Sequence, residues 1–332
     1  MDERRPSPDG VIAAASRVAG HVTRTPLLPF EWEGARLWVK AECLQQSGSF
    51  KLRGATNRLL LLSEEERKRG VVAFSSGNHA QGVAIAARRL GIEAVIVMPS
   101  DAPRVKSDAT RAAGAEVVEY DRETGSREEI GARLAAEKGA VLVPSFDDVD
   151  IIEGQGSVGV EIAEQLGAIP DKVVVPCGGG GLSAGIALAL PGTEMIVAEP
   201  EGWDDMKRSL EGGAIVPVPD GAPPTRCDAL QTKRVSPLTF GALRDAGARG
   251  AAVSEAEVAR AVAVAARRLR IVAEPGGAAA LAAAIAGKAG ELTEGTVIVV
   301  SGGNVDPLLY AEIIGSGLAT GGDRDRPEKA AG

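Results

Sequence analysis

Six short runs of β-branched and aliphatic residues in this chain are each followed by a turn and then by an Ala-rich amphipathic stretch. The runs are 71–74, 94–98, 117–120, 172–175, 195–198 and 296–300. The stretches after them are 80–90, 104–113, 126–138, 182–190, 204–210 and 307–314. Parallel strands need a long crossover between them, usually a helix, so this rhythm selects an α/β fold. The expected architecture is two open twisted, mainly parallel sheets flanked by helices. Residues 46–146 form the smaller block. Residues 147–314 form the larger one, and the segment 10–45 reads as part of it. Residues 1–9 are charged and Pro-rich, and residues 315–332 are a Gly/charge run without apolar period. Both are expected to be disordered tails.

The charge balance, 37 Lys+Arg against 45 Asp+Glu, is a net −8. That argues against nucleic acid or an anionic membrane as a partner. The longest strongly apolar stretch, 278–286, is far short of the roughly 20 residues that span a bilayer. The N-terminus lacks the apolar run of a signal peptide. Cys43, Cys177 and Cys227 are too scattered for a disulfide framework or a CxxC zinc site, and suit a reducing cytoplasm. With 2 histidines, a three-His metal site is excluded.

Three Gly/Ser-rich turns stand where a strand ends or a helix begins, the edge at which open α/β sheets bind ligands. The first, Ser47-Gly-Ser-Phe-Lys-Leu-Arg-Gly-Ala55, puts Lys51 at a helix start with Ser49 as its cap. Cations are favoured at the other end of a helix dipole. Lys51 therefore reads as a solvated surface lysine or as a desolvated amine nucleophile. The second turn, Ser75-Ser-Gly-Asn-His-Ala-Gln-Gly82, suits a carboxylate at a helix N-terminus. Its plainer reading is a cap by Ser76 or Asn78, with His79 as a structural hydrogen-bonder. The third, Pro176-Cys-Gly-Gly-Gly-Gly-Leu-Ser183, has four consecutive glycines, each costing backbone entropy. A close helix–sheet crossing needs one of them, whereas wrapping a phosphate in bare amides needs more. A P-loop is excluded, because no Gly-Lys-Ser/Thr follows. Gly179-x-Gly181-x-x-Ala184, with Glu199 about 20 residues on, also fits a dinucleotide fingerprint. An NAD-dependent oxidoreductase is thus the alternative from another class, but it leaves the Lys51 and Ser76 turns unexplained. A fourth segment, Val300-Ser-Gly-Gly-Asn-Val-Asp306, brings Ser301 out at a sheet edge, to meet a ligand or simply to end the strand.

In this order, SGSFKLRGA, SSGNHAQGVA, GQGSVGVEI, PCGGGGLSAGIA, VAEP, AEPGGAAAL and SGGN resemble the fold type II (tryptophan synthase β-like) pyridoxal-phosphate enzymes. The likeness is to the threonine/serine dehydratase and serine racemase branch, over about residues 11–311. It implies an active site between two domains, with pyridoxal 5'-phosphate as cofactor. Lys51 would hold the cofactor as a Schiff base and serve as catalytic base. Phe50 would lie against the ring, Asn78 would bond the ring hydroxyl, and Ser301 the pyridine nitrogen. Gly178, Gly179, Gly180 and Gly181 would hold the phosphate. Ser75, Ser76, Gly77, Asn78 and His79 would bind the substrate carboxylate, with Ser76 a second acid/base in racemases. Arg127 would act in closure over the substrate. Glu199, Asp205 and the Trp203 carbonyl match ligands of a divalent cation, Mg2+ or Ca2+. Their plainer reading is an acidic helix start that favours the dipole.

A neutral serine at the ring nitrogen makes a weaker electron sink than a carboxylate partner would, so elimination is expected over transamination. The implied enzyme is a cytoplasmic, homodimeric ammonia-lyase acting on a small amino acid, L-threonine or L-serine, to leave a 2-oxo acid. The alternatives are a serine racemase with side dehydratase activity and a threo-3-hydroxyaspartate ammonia-lyase. A non-catalytic amino-acid sensor would not need Lys51. Asp228-Ala229 departs from the Asp-Gly of many relatives, in a segment that approaches the substrate side chain. Beyond it, Lys233 and Arg234 read as solvated or as partners of a second carboxylate. No regulatory domain is expected after residue 315.

Overall fold

The computed structural model describes residues 4–319 apart from 76, 102–103 and 122–123. Helix α1 (Pro8–Val18) precedes a hairpin of β1 (Leu27–Trp32) and β2 (Ala35–Ala41). Helices α2 (Lys51–Leu60) and α3 (Glu64–Arg69) lead into β3 (Val71–Phe74), α4 (Asn78–Leu90), β4 (Ala94–Pro99) and α5 (Arg104–Ala112). Next come β5 (Glu116–Tyr120), α6 (Arg127–Lys138) and the short β6 (Val141–Leu142). A long helix, α7 (Val149–Leu166), carries the chain to β7 (Lys172–Pro176), α8 (Gly181–Ala189), β8 (Glu194–Pro200) and α9 (Asp205–Gly212). The remainder is α10 (Pro237–Asp245), β9 (Arg249–Val253), α11 (Glu255–Val264), α12 (Ala279–Ile285), β10 (Thr296–Val300) and α13 (Pro307–Ala319).

The six expected strands are all present, each followed by its helix. One sheet has the order β5-β4-β3-β6 and is parallel throughout. The other has the order β1-β2-β10-β7-β8-β9 and is parallel except between β1 and β2. The fold is therefore α/β, with two mainly parallel sheets flanked by helices. Strand–helix alternation overlooks the hairpin, because no helix joins its strands. Its turn is Glu33-Gly34, with φ of 49° and 82°, the geometry of a two-residue primed turn. In parallel with β10, β2 sets Trp38 opposite Val297, so the hairpin lies in the six-stranded sheet.

The ends differ from expectation. Ser7 caps α1 by accepting the Gly10 N–H, and Pro8 supplies a preset helical φ. Arg4 pairs with Asp150 and Glu153 on α7. Residues 315–319 continue α13. The rest of the expected tails, 1–3 and 320–332, lies outside the described residues. The apolar stretch 278–286 is a core helix: every residue of α12 is buried, against β7, β8 and β10. Among the described residues no helix is long and apolar enough to cross a membrane.

Glycines set the spacing of α2, α7 and α8. A Cβ on Gly154 would lie 2.7 Å from the Gly54 Cα, and one on Gly185 would lie 2.5 Å from the Gly156 nitrogen. At the same crossing, Arg53 of α2 is fully buried. Its Nε and Nη2 donate to the two oxygens of Glu42, each at 2.8 Å. Its Nη1 and Nη2 donate to Glu161 of α7 at 2.7 and 2.9 Å. Lys40 of β2, also buried, donates to Glu161 at 2.6 Å, to Gln165 at 2.9 Å and to the Thr25 carbonyl at 2.8 Å. Burial pushes the Glu161 carboxyl up, but Arg53 and Lys40 outweigh it and hold it below its ordinary value. For Lys40 burial wins over Glu42 and Glu161, and its pKa falls.

Removing one partner of such a cluster leaves an uncompensated buried charge. Arg53→Ala should cost about 3–5 kcal/mol, read as a lower midpoint in urea unfolding. An unchanged midpoint would remove this cluster from the account of the fold.

Candidate active site

Helix α2 begins at Lys51 with Phe50 at its N-cap, and no side chain caps it. The expected cap, Ser49, is fully buried with its hydroxyl unpartnered. Backbone pairing holds the turn instead. Phe50 N–H donates to the Ser301 carbonyl at 3.1 Å, and Ser49 bridges Gly302. Lys51 Nζ donates to the Ser145 carbonyl at 2.7 Å and lies 5.2 Å from the centre of the Phe50 ring. Burial, with no carboxylate to offset it, lowers the Lys51 pKa to about 8. Such an amine is partly neutral near pH 7, fit to act as nucleophile or base.

The four glycines join β7 to α8. Gly180 has φ +85° and forms the N-cap, and the first helical bond runs from Ala184 N–H to Gly180 O. The amides of Gly178, Gly179, Gly180 and Gly181 thus stand outside the helix ladder at its positive end, an anion site. Packing needs more of them than the single glycine expected. A Cβ at 179 would overlap the Phe146 ring. At 180 it would lie 2.9 Å from the Thr239 Cβ, at 181 3.2 Å from the Phe146 Cβ, and at 178 3.2 Å from Thr232 Oγ1. Phe146 follows Ser145, so one short segment meets both the Lys51 amine and the glycine loop. Ser301, at the end of β10, is buried and donates its N–H to the Gly277 carbonyl. No hydrogen bond within the described residues engages its hydroxyl.

At the end of β3 the second turn enters α4. Its N-cap is Gly77, not Ser76 or Asn78, and Gly77 N–H donates to Ser75 Oγ at 3.2 Å. Ser76 lies outside the described residues. Asn78 Nδ2 donates to Glu274 Oε1 at 2.5 Å, and Asn78 Oδ1 accepts from Asn304 at 2.8 Å. His79 is buried, with Nε2 2.9 Å from the Val143 carbonyl and Nδ1 unpartnered. Burial, then the Lys51 charge, lowers its pKa to about 3. It is a neutral donor to Val143 and presents no charge to a carboxylate. The Arg127 guanidinium lies 5.8 Å from the centre of the Phe74 ring, beside this turn, and pairs with Glu128 at 2.8 Å.

Away from the amine, Glu199 and Asp205 are both buried. Glu199 accepts the Met206 and Lys207 N–H groups at 3.0 and 2.8 Å, closing the first turn of α9. Asp205 accepts the Val235 N–H at 2.9 Å. Burial, then Asp205, drives the Glu199 carboxyl well above its ordinary range, and burial raises Asp205 to about 6. Trp203 directs its indole N–H to the Pro223 carbonyl at 2.8 Å. Among the described residues no three His, Cys, Asp or Glu side chains gather as metal ligands. Ser145, Phe146, Glu274 and Asn304 enter the site without a sequence-derived role. Glu274 and Asn304 sit in AEPGG and SGGN, beside glycines that are the stronger local signal.

Residues 18–302 match the family described as pyridoxal-phosphate dependent enzyme. Over 317 residues the chain is 39% identical to the L-threo-3-hydroxyaspartate ammonia-lyase of Saccharomyces cerevisiae, covering 93% of this chain and 96% of that one. It is 41% identical over 296 residues to the L-threonine ammonia-lyase of Thermotoga maritima, covering 88% of this chain and 73% of that one. Maize serine racemase superposes with a TM-score of 0.87 at 34% identity, over 95% of this chain and 99% of that one. The dinucleotide alternative falls with these matches.

The pKa of about 8 predicts a selective reaction. In the ligand-free chain an acylating reagent should label Lys51 at a rate that rises with pH to about 8 and levels above it. Below that value the amine is protonated and unreactive. Peptide mass mapping reads the site, and a rate still climbing towards pH 10 as for an ordinary lysine would contradict the burial argument.

Proposed function

The chain belongs to the pyridoxal-phosphate dependent enzyme family, and on that footing we propose an ammonia-lyase of the dehydratase type. It eliminates water from L-threonine or L-serine, and hydrolysis of the released enamine takes that water back, so that the net products are a 2-oxo acid and ammonia. The observation that carries the reading is the Lys51 amine, its pKa lowered to about 8, close to the bare amides of four glycines and an unengaged Ser301 hydroxyl. These groups fit the cofactor. Lys51 would hold it, Phe50 would flank its ring, the amides of Gly178–Gly181 would take its phosphate, and Asn78 and Ser301 would meet its ring oxygen and nitrogen. When bound, pyridoxal phosphate draws electrons from an amino acid's Cα.

The chain supplies the rest. Lys51 Nζ takes the α-proton. Ser301, a neutral hydroxyl, brings no negative charge to the ring nitrogen, which favours prompt loss of the β-hydroxyl over transamination. Ser75 and Gly77, at the positive end of α4, hold the substrate carboxylate together with Ser76, and Arg127 closes over it. The domains are 10–45 plus 147–314 and 46–146, with the site between them. Three unpaired cysteines agree with a cytoplasmic location. Exposed Leu44, Val272 and Leu308 support a homodimer, which light scattering reads as twice the chain mass.

Lys51→Ala should lower 2-oxo acid formation by about 10^3-fold or more, with unchanged circular dichroism. Near-normal turnover would sink the reading. The yeast relative's name favours a second substrate, threo-3-hydroxyaspartate, and exposed Lys233 and Arg234 carry charge for its extra carboxylate. Replacing both by Ala should then lower kcat/KM for that substrate alone; equal effects on all three return the preference to threonine and serine. D-serine in the reaction mixture would favour the racemase alternative.

A divalent cation, Mg2+ or Ca2+, held by Glu199, Asp205 and the Trp203 carbonyl belongs to the same proposal. Two buried carboxylates with raised pKa values, Glu199 in part through Asp205, suit it, because a cation would favour their charged forms. Added Ca2+ should raise the melting temperature at pH 8 and do so less below about pH 6, where protonation of Asp205 competes with the ion. No shift at either pH, with no metal in elemental analysis, would retire the site.

A further inference from the structure

We infer that Asn304, with Glu274, is a positioning device that holds the Asn78 amide in one orientation, so that an N–H and not an oxygen is offered to the cofactor's ring oxygen. The inference rests on the reading of Asn78 as a cofactor residue.

An asparagine amide has nearly the same shape turned either way, so its own packing does not choose between nitrogen and oxygen. The hydrogen-bond partners here do. Asn304 Nδ2 lies 2.8 Å from the Ser47 carbonyl, a group that can only accept. That contact forces the Asn304 nitrogen inward, and its other N–H goes to Asn78 Oδ1 at 2.8 Å. At the far side of Asn78, Nδ2 donates to the buried carboxylate of Glu274 at 2.5 Å. The chain of bonds runs between two acceptors, so only one direction satisfies every link. Turned over, Asn78 would set its oxygen against the Glu274 carboxylate and its NH2 against that of Asn304. Two hydrogen bonds would become two repulsions. In the observed direction one N–H of Asn78 stays uncommitted.

Two glycines make room for this chain of bonds. At Gly48, φ is +71° and a Cβ would overlap the Asn304 amide. At Gly302 a Cβ would overlap the Glu274 carboxylate and lie 3.2 Å from Asn78 Nδ2. Gly48 of SGSFK and Gly302 of SGGN are thereby explained by a side-chain network.

The test compares purified, cofactor-loaded Asn304→Asp, Glu274→Gln and Asn78→Ala proteins. A donor to the ring oxygen favours its ionised form, so the visible band reports the Asn78 orientation directly. Asp keeps the shape of Asn304 but has no N–H to give. Asn304→Asp should shift the visible band and weaken cofactor binding roughly tenfold, the value of one hydrogen bond. Glu274→Gln keeps an accepting oxygen and should retain the wild-type band. A purely structural link would lower the melting temperature in both variants and leave the band in place, which would overturn the inference. Should Asn304→Asp not fold, Asn304→Ala removes the donors without adding charge; a wild-type band and wild-type cofactor affinity there also overturn it. If Asn78→Ala itself leaves band and affinity unchanged, the reading of Asn78 fails first. If Asn78→Ala shifts them and the Asn304 variants do not, the inference alone fails.

Discussion

A guanidinium that cannot shed its charge lies fully buried two residues after Lys51. Arg53 must therefore meet carboxylates wherever it is buried, and it meets Glu42 at the end of β2 and Glu161 on α7. Each ion taken out of water costs several kcal/mol, and only close paired geometry offsets it. The cluster couples three segments that are far apart in the chain. Together with the Phe50–Ser301 backbone bond it holds the start of α2 against the six-stranded sheet, and Lys51, at the first position of α2, inherits that place. Gly54 against Gly154 lets the two helices approach closely enough for Arg53 to reach Glu161.

Around that fixed point, groups the fold leaves unused gather together. Most buried polar groups in a folded protein are paired. Here the glycine-loop amides, the Ser301 hydroxyl and one Asn78 N–H stand at strand ends and helix starts, where a ligand can take them up, beside the Lys51 amine, which donates to the Ser145 carbonyl. Their neighbours are committed to the protein: His79 to Val143, Asn304 to Ser47, and Phe146 against Gly179. The division is a physical description of a preorganised site, in which a rigid outer ring holds an inner ring of unspent donors.

Charge is partitioned in the same way. The glycine loop and the α4 turn face the positive ends of helices. Lys51 keeps its pKa low by lacking a carboxylate partner, and its charge helps to keep His79 neutral. The buried acids sit elsewhere: Glu42 and Glu161 neutralise Arg53 and Lys40, while Glu199 and Asp205 accept backbone N–H groups near α9.

Strand–helix alternation made the two-sheet α/β class legible in the sequence, because the period of apolar residues reports local structure directly. The positions of the Gly/Ser-rich turns were legible too, because glycines and helix-capping residues punctuate strand ends and helix starts locally. The hairpin was not, since two adjacent strands carry no crossover to announce them, and residues 4–9 depart from the expected disorder because Ser7 caps α1 and Arg4 pairs with α7, nearly 150 positions away. Ser49 resembled a cap locally, but pairing of Phe50 with Ser301 had already fixed the turn. Local sequence thus determined which elements form and which residues carry unusual chemistry. Only the tertiary structure decided that the Lys51 pKa is lowered, that His79 is neutral and which way Asn78 faces, because each depends on neighbours brought together across the chain.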